Sequence, residues 1–167
     1  MPDLFTCHEA AKVRCFGPPD ALDALATPAG VLRGRIAPNE VVLVGAPGTA
    51  SDLVKTCEDA LGKLGDAALV VDHTDGWSFF SLGGDGAEDV FRRVSMVPLP
   101  DAGPEPAFFA GRVCDVAAKA FRRPGRIDVM TGMEASKHVR ETLEHAGHGR
   151  RLKHVAAPAT DPIGVNT

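Results

Sequence analysis

One repeating pattern constrains the fold of this chain most: two strand-like segments followed by a helix-like segment, occurring three times. Each strand pair is joined by a short turn-like sequence, and each helix-like segment has apolar residues at helical spacing. This alternation predicts the α+β class. The helices are expected over about residues 50–64, 86–95 and 133–146, and the strand pairs are RGRI with EVVLVG, ALVVDHT with WSFFSL, and VCDVAAKAF with RIDVMT.

The middle of the pattern reads β-α-β-β-α-β, which is the order of a ferredoxin-like split unit. We therefore predict three strand-strand-helix units with a ferredoxin-like core and a mostly antiparallel sheet. The dipeptide Asp75-Gly76 predicts a tight hairpin between the second pair of strands. A single α+β domain is expected over residues 1–148, followed over 149–167 by a basic and then flexible C-terminal tail.

Each helix-like segment begins with residues spaced as a capping pair. In the first of these helices, burying one Leu or Val contributes about 1.5–3 kcal/mol, compared with about 1 kcal/mol for a cap, so packing is expected to dominate. Cys57 lies on its apolar stripe and is expected to be a core residue rather than a nucleophile. The capping pairs are Thr49 with Asp52, Asp85 with Glu88, and Thr131 with Glu134.

Composition argues against several classes of function. The 167 residues are 44% hydrophobic and 24% charged, which is typical of one soluble domain. A net charge of −4 argues against nucleic acid or an anionic membrane as a partner. No targeting signal is recognisable and no apolar run approaches the roughly 20 residues of a membrane helix, so a cytoplasmic protein is expected. The four scattered cysteines are expected to be free thiols.

The segment SLGGDGAEDVF, residues 81–91, has the strand, glycine turn and helix start of a phosphate-binding loop. Gly84 and Gly86 match the first two glycines of G-x-G-x-x-G, but the third position is Asp89. Asp85 and its acidic neighbours would satisfy the helix dipole and repel an anion. The residues therefore favour a structural turn with an aspartate cap over a nucleotide site.

The segment DHTD, residues 72–75, offers a histidine between carboxylates. A general base could be built from His73 and an aspartate. Alternation along a strand, however, sends Asp72 and His73 to opposite faces, and Asp75 is explained as a turn residue. A surface hairpin is the favoured interpretation.

The remaining groups of possible ligands lie near the two ends of the chain. Cys7, His8 and Cys15 fit no familiar zinc spacing. The basic end of the chain favours a flexible tail, with a docking arm for an acidic partner as the alternative. We predict no catalytic, cofactor-binding or metal-ligating residue in this chain. The tail residues in question are His145, His148, Arg150, Arg151, Lys153 and His154.

Three stretches of the chain resemble one known family. RGRIAPNEVVLVGAPG, VVDHTDGWSFFSLGGDGAEDVFRRVSMVPL and FFAGRVC are similar to the small γ subunit of heterotetrameric sarcosine oxidases, whose fold is shared with the first part of the glycine-cleavage T protein and its folate-binding relatives. The resemblance covers about residues 16–146. The matching motifs fall on Asn39–Glu40, Val70–Gly76, Leu82–Val90 and Gly111–Cys114, and the sequence departs from the family at Asn39 and His73–Thr74 and is short between Pro100 and Gly111.

The resemblance implies a non-catalytic accessory subunit of a sarcosine oxidase-like oxidoreductase complex in one-carbon metabolism. Larger flavin-binding partner subunits would hold FAD, FMN, NAD and tetrahydrofolate, and would oxidatively demethylate N-methyl amino acids or related methylated amines. This chain would bind none of these cofactors and would contact those subunits. One alternative is a stand-alone folate-binding or aminomethyl-transfer protein, and another is a phosphate-binding enzyme that uses the loop at residues 81–91.

Overall fold

The computed structural model describes residues 2–6, 8–147 and 153–154. These residues form two compact units. One contains the described residues up to His8 and from Gly76 onward, and we call it the six-stranded unit; the other is Glu9–Asp75, the four-stranded unit. That residues 1–148 behave as one domain stays a prediction, and the tail at 149–167 lies outside the described residues except for Lys153 and His154.

The described residues contain ten strands and four α-helices. Short 3-10 turns follow the second helix and precede the sixth strand and the fourth helix. The strands are β1 Asp3–Thr6, β2 Ala11–Phe16, β3 Leu32–Ala37, β4 Glu40–Gly45, β5 Leu69–Asp72, β6 Trp77–Gly83, β7 Ala107–Val113, β8 Val116–Arg123, β9 Arg126–Gly132 and β10 Lys153–His154. The helices are α1 Pro19–Ala24, α2 Ala50–Leu61, α3 Ala87–Val94 and α4 Ser136–Ala146.

The four-stranded unit is a split β-α-β-β-α-β arrangement built from β2, α1, β3, β4, α2 and β5. Its strand order is β3-β4-β2-β5, and every neighbouring pair is antiparallel. Because β4 lies between β2 and β3, this is the ferredoxin-like topology. Apolar side chains of β2, β4, α1 and α2 form its core: Val13, Cys15, Leu22, Val41, Leu43, Leu53, Cys57 and Leu61.

The six-stranded unit has the strand order β10-β1-β6-β9-β8-β7. All of its pairs are antiparallel except β1 with β10. Side chains of α3 and α4 pack with one face of the sheet. The core on that face includes Leu4, Phe80, Leu82, Val90, Phe91, Ile127, Val129, Val139 and Leu143.

The predicted α+β class and the mostly antiparallel pairing are confirmed, and the strands divide between two sheets. The predicted pairs β3 with β4 and β8 with β9 are also confirmed. The ferredoxin-like order occurs over residues 11–72, two strands and one helix earlier than predicted. It was misplaced because β2 and α1 carry short patterns that do not stand out as elements.

The predicted hairpin at Asp75-Gly76 is wrong. β5 pairs with β2, whereas β6 pairs with β1 and β9, in the other sheet. Thr74–Gly76 forms a 3-10 turn at which the chain passes from one unit to the next. The seven residues of β6 find seven partners along β9, a longer pairing than a hairpin with the four residues of β5 could provide.

The three predicted capping pairs are also wrong, because none of the three helices has a side-chain hydrogen bond at its N-cap. The Thr49 hydroxyl donates instead to the Ala46 carbonyl at 2.7 Å. Gly86, with φ of 92°, is the N-cap of α3. α4 starts after a 3-10 turn at Met133–Ala135, which removes Thr131 from the helix end.

Within the described ranges, none of the helices combines the length and apolar character needed to cross a bilayer.

Candidate functional site

The glycine-rich segment singled out above lines a cleft at the start of α3. The cleft has a volume of about 320 Å³ and lies between this loop and the β8–β9 turn. Gly84 and Gly86 have φ of 76° and 92°, a left-handed conformation that favours glycine. The glycines therefore have a structural role in the turn before α3. The lining residues are Gly84, Asp85, Gly86, Ala87, Glu88, Asp89, Arg122, Arg123, Gly125, Arg126 and Ile127.

Two of the three arginines that line this cleft, Arg122 and Arg123, are paired with carboxylates. Arg122 forms an ion pair with Glu88 and also donates to the Pro100 carbonyl. Arg123 binds both carboxylate oxygens of Asp128, at 2.6 Å and 2.9 Å. Glu88 thus connects α3 to β8 instead of capping the helix. The lining is mixed in charge and gives a phosphate group little excess of positive charge.

The DHTD segment lies at the end of β5 and is hydrogen-bonded there to β2. The Asp72 carboxylate accepts a hydrogen bond from the Thr74 backbone N–H at 2.9 Å. The Thr74 side chain and this backbone bond lower the pKa of Asp72 below its ordinary value. The His73 backbone N–H donates to the Lys12 carbonyl at 2.7 Å. Asp72 therefore acts as a turn residue that stabilises the strand end.

His8 pairs with a residue that sequence spacing could not connect to it. Its Nε2 lies 3.3 Å from the Ser136 Oγ, at the first residue of α4. Its ring also contacts Phe80 edge to face, with centroids 5.3 Å apart. His8 and Ser136 are 128 residues apart in the sequence, so no local motif predicts this contact. Cys15 belongs to the other unit, and Cys7 lies outside the described residues.

Three cysteine thiols are buried, which confirms Cys57 as a core residue. A hydrogen bond with Cys57 and burial together raise the pKa of Cys15 above its ordinary value. Burial raises the pKa of Cys114 to about 12. Because the thiolate is the nucleophile, Cys15 and Cys114 are poorly suited to nucleophilic chemistry near neutral pH.

The C-terminal residues singled out in the sequence are only partly described. His145 is exposed in the last turn of α4. Lys153 and His154 form β10, which pairs in parallel with β1. His148, Arg150 and Arg151 lie outside the described residues. Over the described ranges, no three potential metal-ligating side chains cluster.

Comparison with known proteins finds similarity in structure. No protein-family model and no curated protein matches the chain. A chain of the heterotetrameric sarcosine oxidase from Corynebacterium sp. U-96, in complex with pyrrole 2-carboxylate, aligns with a TM-score of 0.74 and 16% identity over 93% of this chain and 88% of that chain. The glycine cleavage system aminomethyltransferase T from Bartonella henselae aligns with a TM-score of 0.69 and 15% identity over 92% of this chain and 47% of that chain.

The fold is common to all three proteins. The present chain spans about half the length of the aminomethyltransferase, whereas its length is similar to that of the matched oxidase chain.

Two of the stretches that carry the sequence resemblance have structural roles in this fold. Asn39 lies in the β3–β4 turn, and its carbonyl accepts a hydrogen bond from the Gly17 N–H at 3.1 Å. Gly111 lies against Val97, and a Cβ at Gly111 would overlap the Val97 side chain. Cys114 has φ of 51° in the β7–β8 turn, and the His138 Nε2 lies 2.8 Å from its carbonyl oxygen. These positions shape turns and close contacts.

Proposed function

We propose that this chain is a small, non-catalytic accessory subunit of a heteromeric, sarcosine oxidase-like flavoprotein complex. The observation that carries the proposal is the end-to-end similarity to a chain of the heterotetrameric sarcosine oxidase, covering 93% of this chain and 88% of that one. In this proposal, larger partner subunits hold FAD, FMN, NAD and tetrahydrofolate and oxidise N-methyl amino acids or related methylated amines.

The residues of the candidate cleft support this role. Arg122 and Arg123 are bound to carboxylates. Outside the cleft, the thiols of Cys15 and Cys114 are buried and have raised pKa values. These four groups therefore serve structural contacts, which suits a subunit that assembles with catalytic partners.

Co-expression tests the proposal directly. The full chain, carrying an affinity tag, is produced together with the proteins encoded by the neighbouring genes, and the purified material is analysed by size-exclusion chromatography with flavin absorbance. We expect the chain to elute with flavin-bearing subunits in a complex that oxidises sarcosine or another methylated amine. Elution of the chain by itself, with the flavoproteins active and fully assembled without it, would contradict the proposal.

A second candidate is a stand-alone folate-binding or aminomethyl-transfer protein, favoured by the similarity to the aminomethyltransferase over 92% of this chain. Isothermal titration of the isolated chain with tetrahydrofolate separates the two. We expect no binding for an accessory subunit. Saturable binding with one site per chain would favour the second candidate instead.

A further inference from the structure

The four-stranded sheet ends in an open strand. In the order β3-β4-β2-β5, β5 is an edge strand that pairs with β2 alone among the described residues. The pairing runs without a break from Phe16 opposite Leu69 to Val13 opposite Asp72. The outer side of such a strand presents backbone N–H and C=O groups that can pair with another chain.

Other edges of the two sheets carry features that discourage such pairing. β3 contains Arg33 and Arg35, and its register with β4 breaks between Arg35 and Ala37. β7 is bridged at its end by Ser95, opposite Val113. Charges, breaks in register and covering segments are the means by which proteins protect strand edges.

β5 has no break in register with β2, and its one charged residue, Asp72, lies at its C-terminal end. Its sequence, Leu69-Val70-Val71-Asp72, contains no lysine, arginine or proline. Leu69 is 58% exposed, one of three large hydrophobic side chains exposed among the described residues. An exposed edge strand rich in β-branched residues favours the addition of another strand.

A groove lies beside this edge. It has a volume of about 200 Å³ and lies between the end of α2 and β5. Gly62 and Gly65 line it, and a Cβ built at either position would meet no atom of another part of the chain within 4 Å. Side chains of an added segment would therefore find room next to the strand. The lining residues are Glu58, Leu61, Gly62, Gly65, Ala68, Leu69 and Val70.

The surroundings of the groove are acidic. Residues 58–72 contain the carboxylates of Glu58, Asp59, Asp66 and Asp72 and only one cation, Lys63. All five side chains belong to exposed residues. Asp59 is paired with Lys55 at 2.7 Å. The excess of negative charge next to the strand edge selects a positively charged occupant.

We propose that the β5 edge binds an extended, basic segment of a protein partner, which adds to the four-stranded sheet as a fifth strand. Main-chain hydrogen bonds to β5 supply affinity, and alternate side chains enter the groove or pack on Leu69. Lysine or arginine side chains of the segment approach Glu58 and Asp66. The inference goes beyond the proposed function and rests on it only in expecting the segment to belong to a larger subunit.

A peptide titration of the full chain tests the edge itself. The probe is a short synthetic peptide of alternating valine and lysine, compared with its valine–glutamate counterpart and with a form N-methylated on alternate backbone nitrogens. We expect the valine–lysine peptide to bind more weakly as salt increases and at least roughly tenfold more tightly than either comparison peptide. Equal binding of the acidic or the N-methylated peptide would overturn the proposal.

Variants of the full chain localise the binding. Leu69→Lys places a positive charge on the strand edge, and Asp66→Lys reverses one of the acidic charges next to the groove. Each change is expected to weaken binding of the valine–lysine peptide by roughly tenfold. Met96→Lys is the matched control, because Met96 is 73% exposed in the six-stranded unit. Equal affinities for Leu69→Lys and Met96→Lys would contradict the proposal. A wild-type dimer that Leu69→Lys converts to a monomer would assign the edge to a second copy of this chain and overturn it as well.

The same variants in the co-expressed complex separate this inference from the proposed function. Assembly of wild type and Met96→Lys, with loss of assembly for Leu69→Lys, supports both. Assembly of all three retains the accessory role and overturns the edge as the docking site. If the wild-type chain does not assemble with the flavoproteins but still binds the valine–lysine peptide, the accessory role is wrong and the β5 edge remains a binding surface.

Discussion

At the residue scale, the Arg123–Asp128 pair is a buried ion pair in the six-stranded unit. Both side chains are buried, with 5% and 0% of their surface exposed. Asp128 lies between Ile127 and Val129, which belong to the core under the helices, so alternation places Asp128 on the opposite face of the sheet. Two hydrogen bonds satisfy the carboxylate there. A buried charge pair of this kind costs much more when one member is removed than when both are.

Replacing Arg123 alone is therefore expected to be strongly destabilising. Arg123→Met leaves Asp128 buried without its cation, and the free energy of unfolding in urea should fall by about 3–5 kcal/mol. The double variant Arg123→Met/Asp128→Leu should recover part of that loss. Arg112→Met is the control, because its pair with Asp115 is exposed and should contribute less than about 1 kcal/mol. Similar losses for Arg123→Met and Arg112→Met would rule out this explanation.

The role of a single residue could be predicted from sequence where that role depends only on its neighbours along the chain. Cys57 was predicted to be in the core because of its helical spacing, and it is buried. The Asp85 cap failed because Gly86 starts α3 in a left-handed conformation, which the sequence pattern does not reveal. The contact between His8 and Ser136 joins residues far apart in sequence, so only the folded chain reveals it.

At the element scale, strand partners were predictable only between neighbours in sequence. β3 with β4 and β8 with β9 are joined by short turns, and local patterns identify both pairs. The partners of β5 and β6 depend on β2 and β1, whose patterns are short and were not recognised. Pairing over long sequence separations depends on the whole fold, which local propensity does not encode.

The connection between α3 and β7 makes a close contact with β7 at Gly111. Gly111 in β7 has no space for a Cβ because of Val97. Gly111→Ala should therefore lower the free energy of unfolding by about 1–3 kcal/mol, measured by urea denaturation. The same change at Gly103 is the control, since the nearest atom to an added Cβ there is 3.9 Å away. If Gly111→Ala/Val97→Ala does not restore part of the loss, the steric explanation fails.

At the scale of the whole molecule, the one-domain prediction can be tested with probes that the sequence already contains. The single tryptophan, Trp77, is in the six-stranded unit, whereas the buried thiols of Cys15 and Cys57 are in the four-stranded unit. One cooperative domain requires the two units to unfold together. Tryptophan fluorescence and mass-spectrometric thiol labelling across a urea series should therefore have the same midpoint. Midpoints that differ would show two independently unfolding domains.

The order of the strands also has a consequence for synthesis on the ribosome. The four-stranded unit is contiguous, Glu9–Asp75, so its sheet can close as soon as those residues leave the exit tunnel. β1 is made before this unit, yet its partners are β6 and β10, which begin at Trp77 and Lys153 and are made after it. β1 must therefore remain without these partners while the complete four-stranded sheet forms.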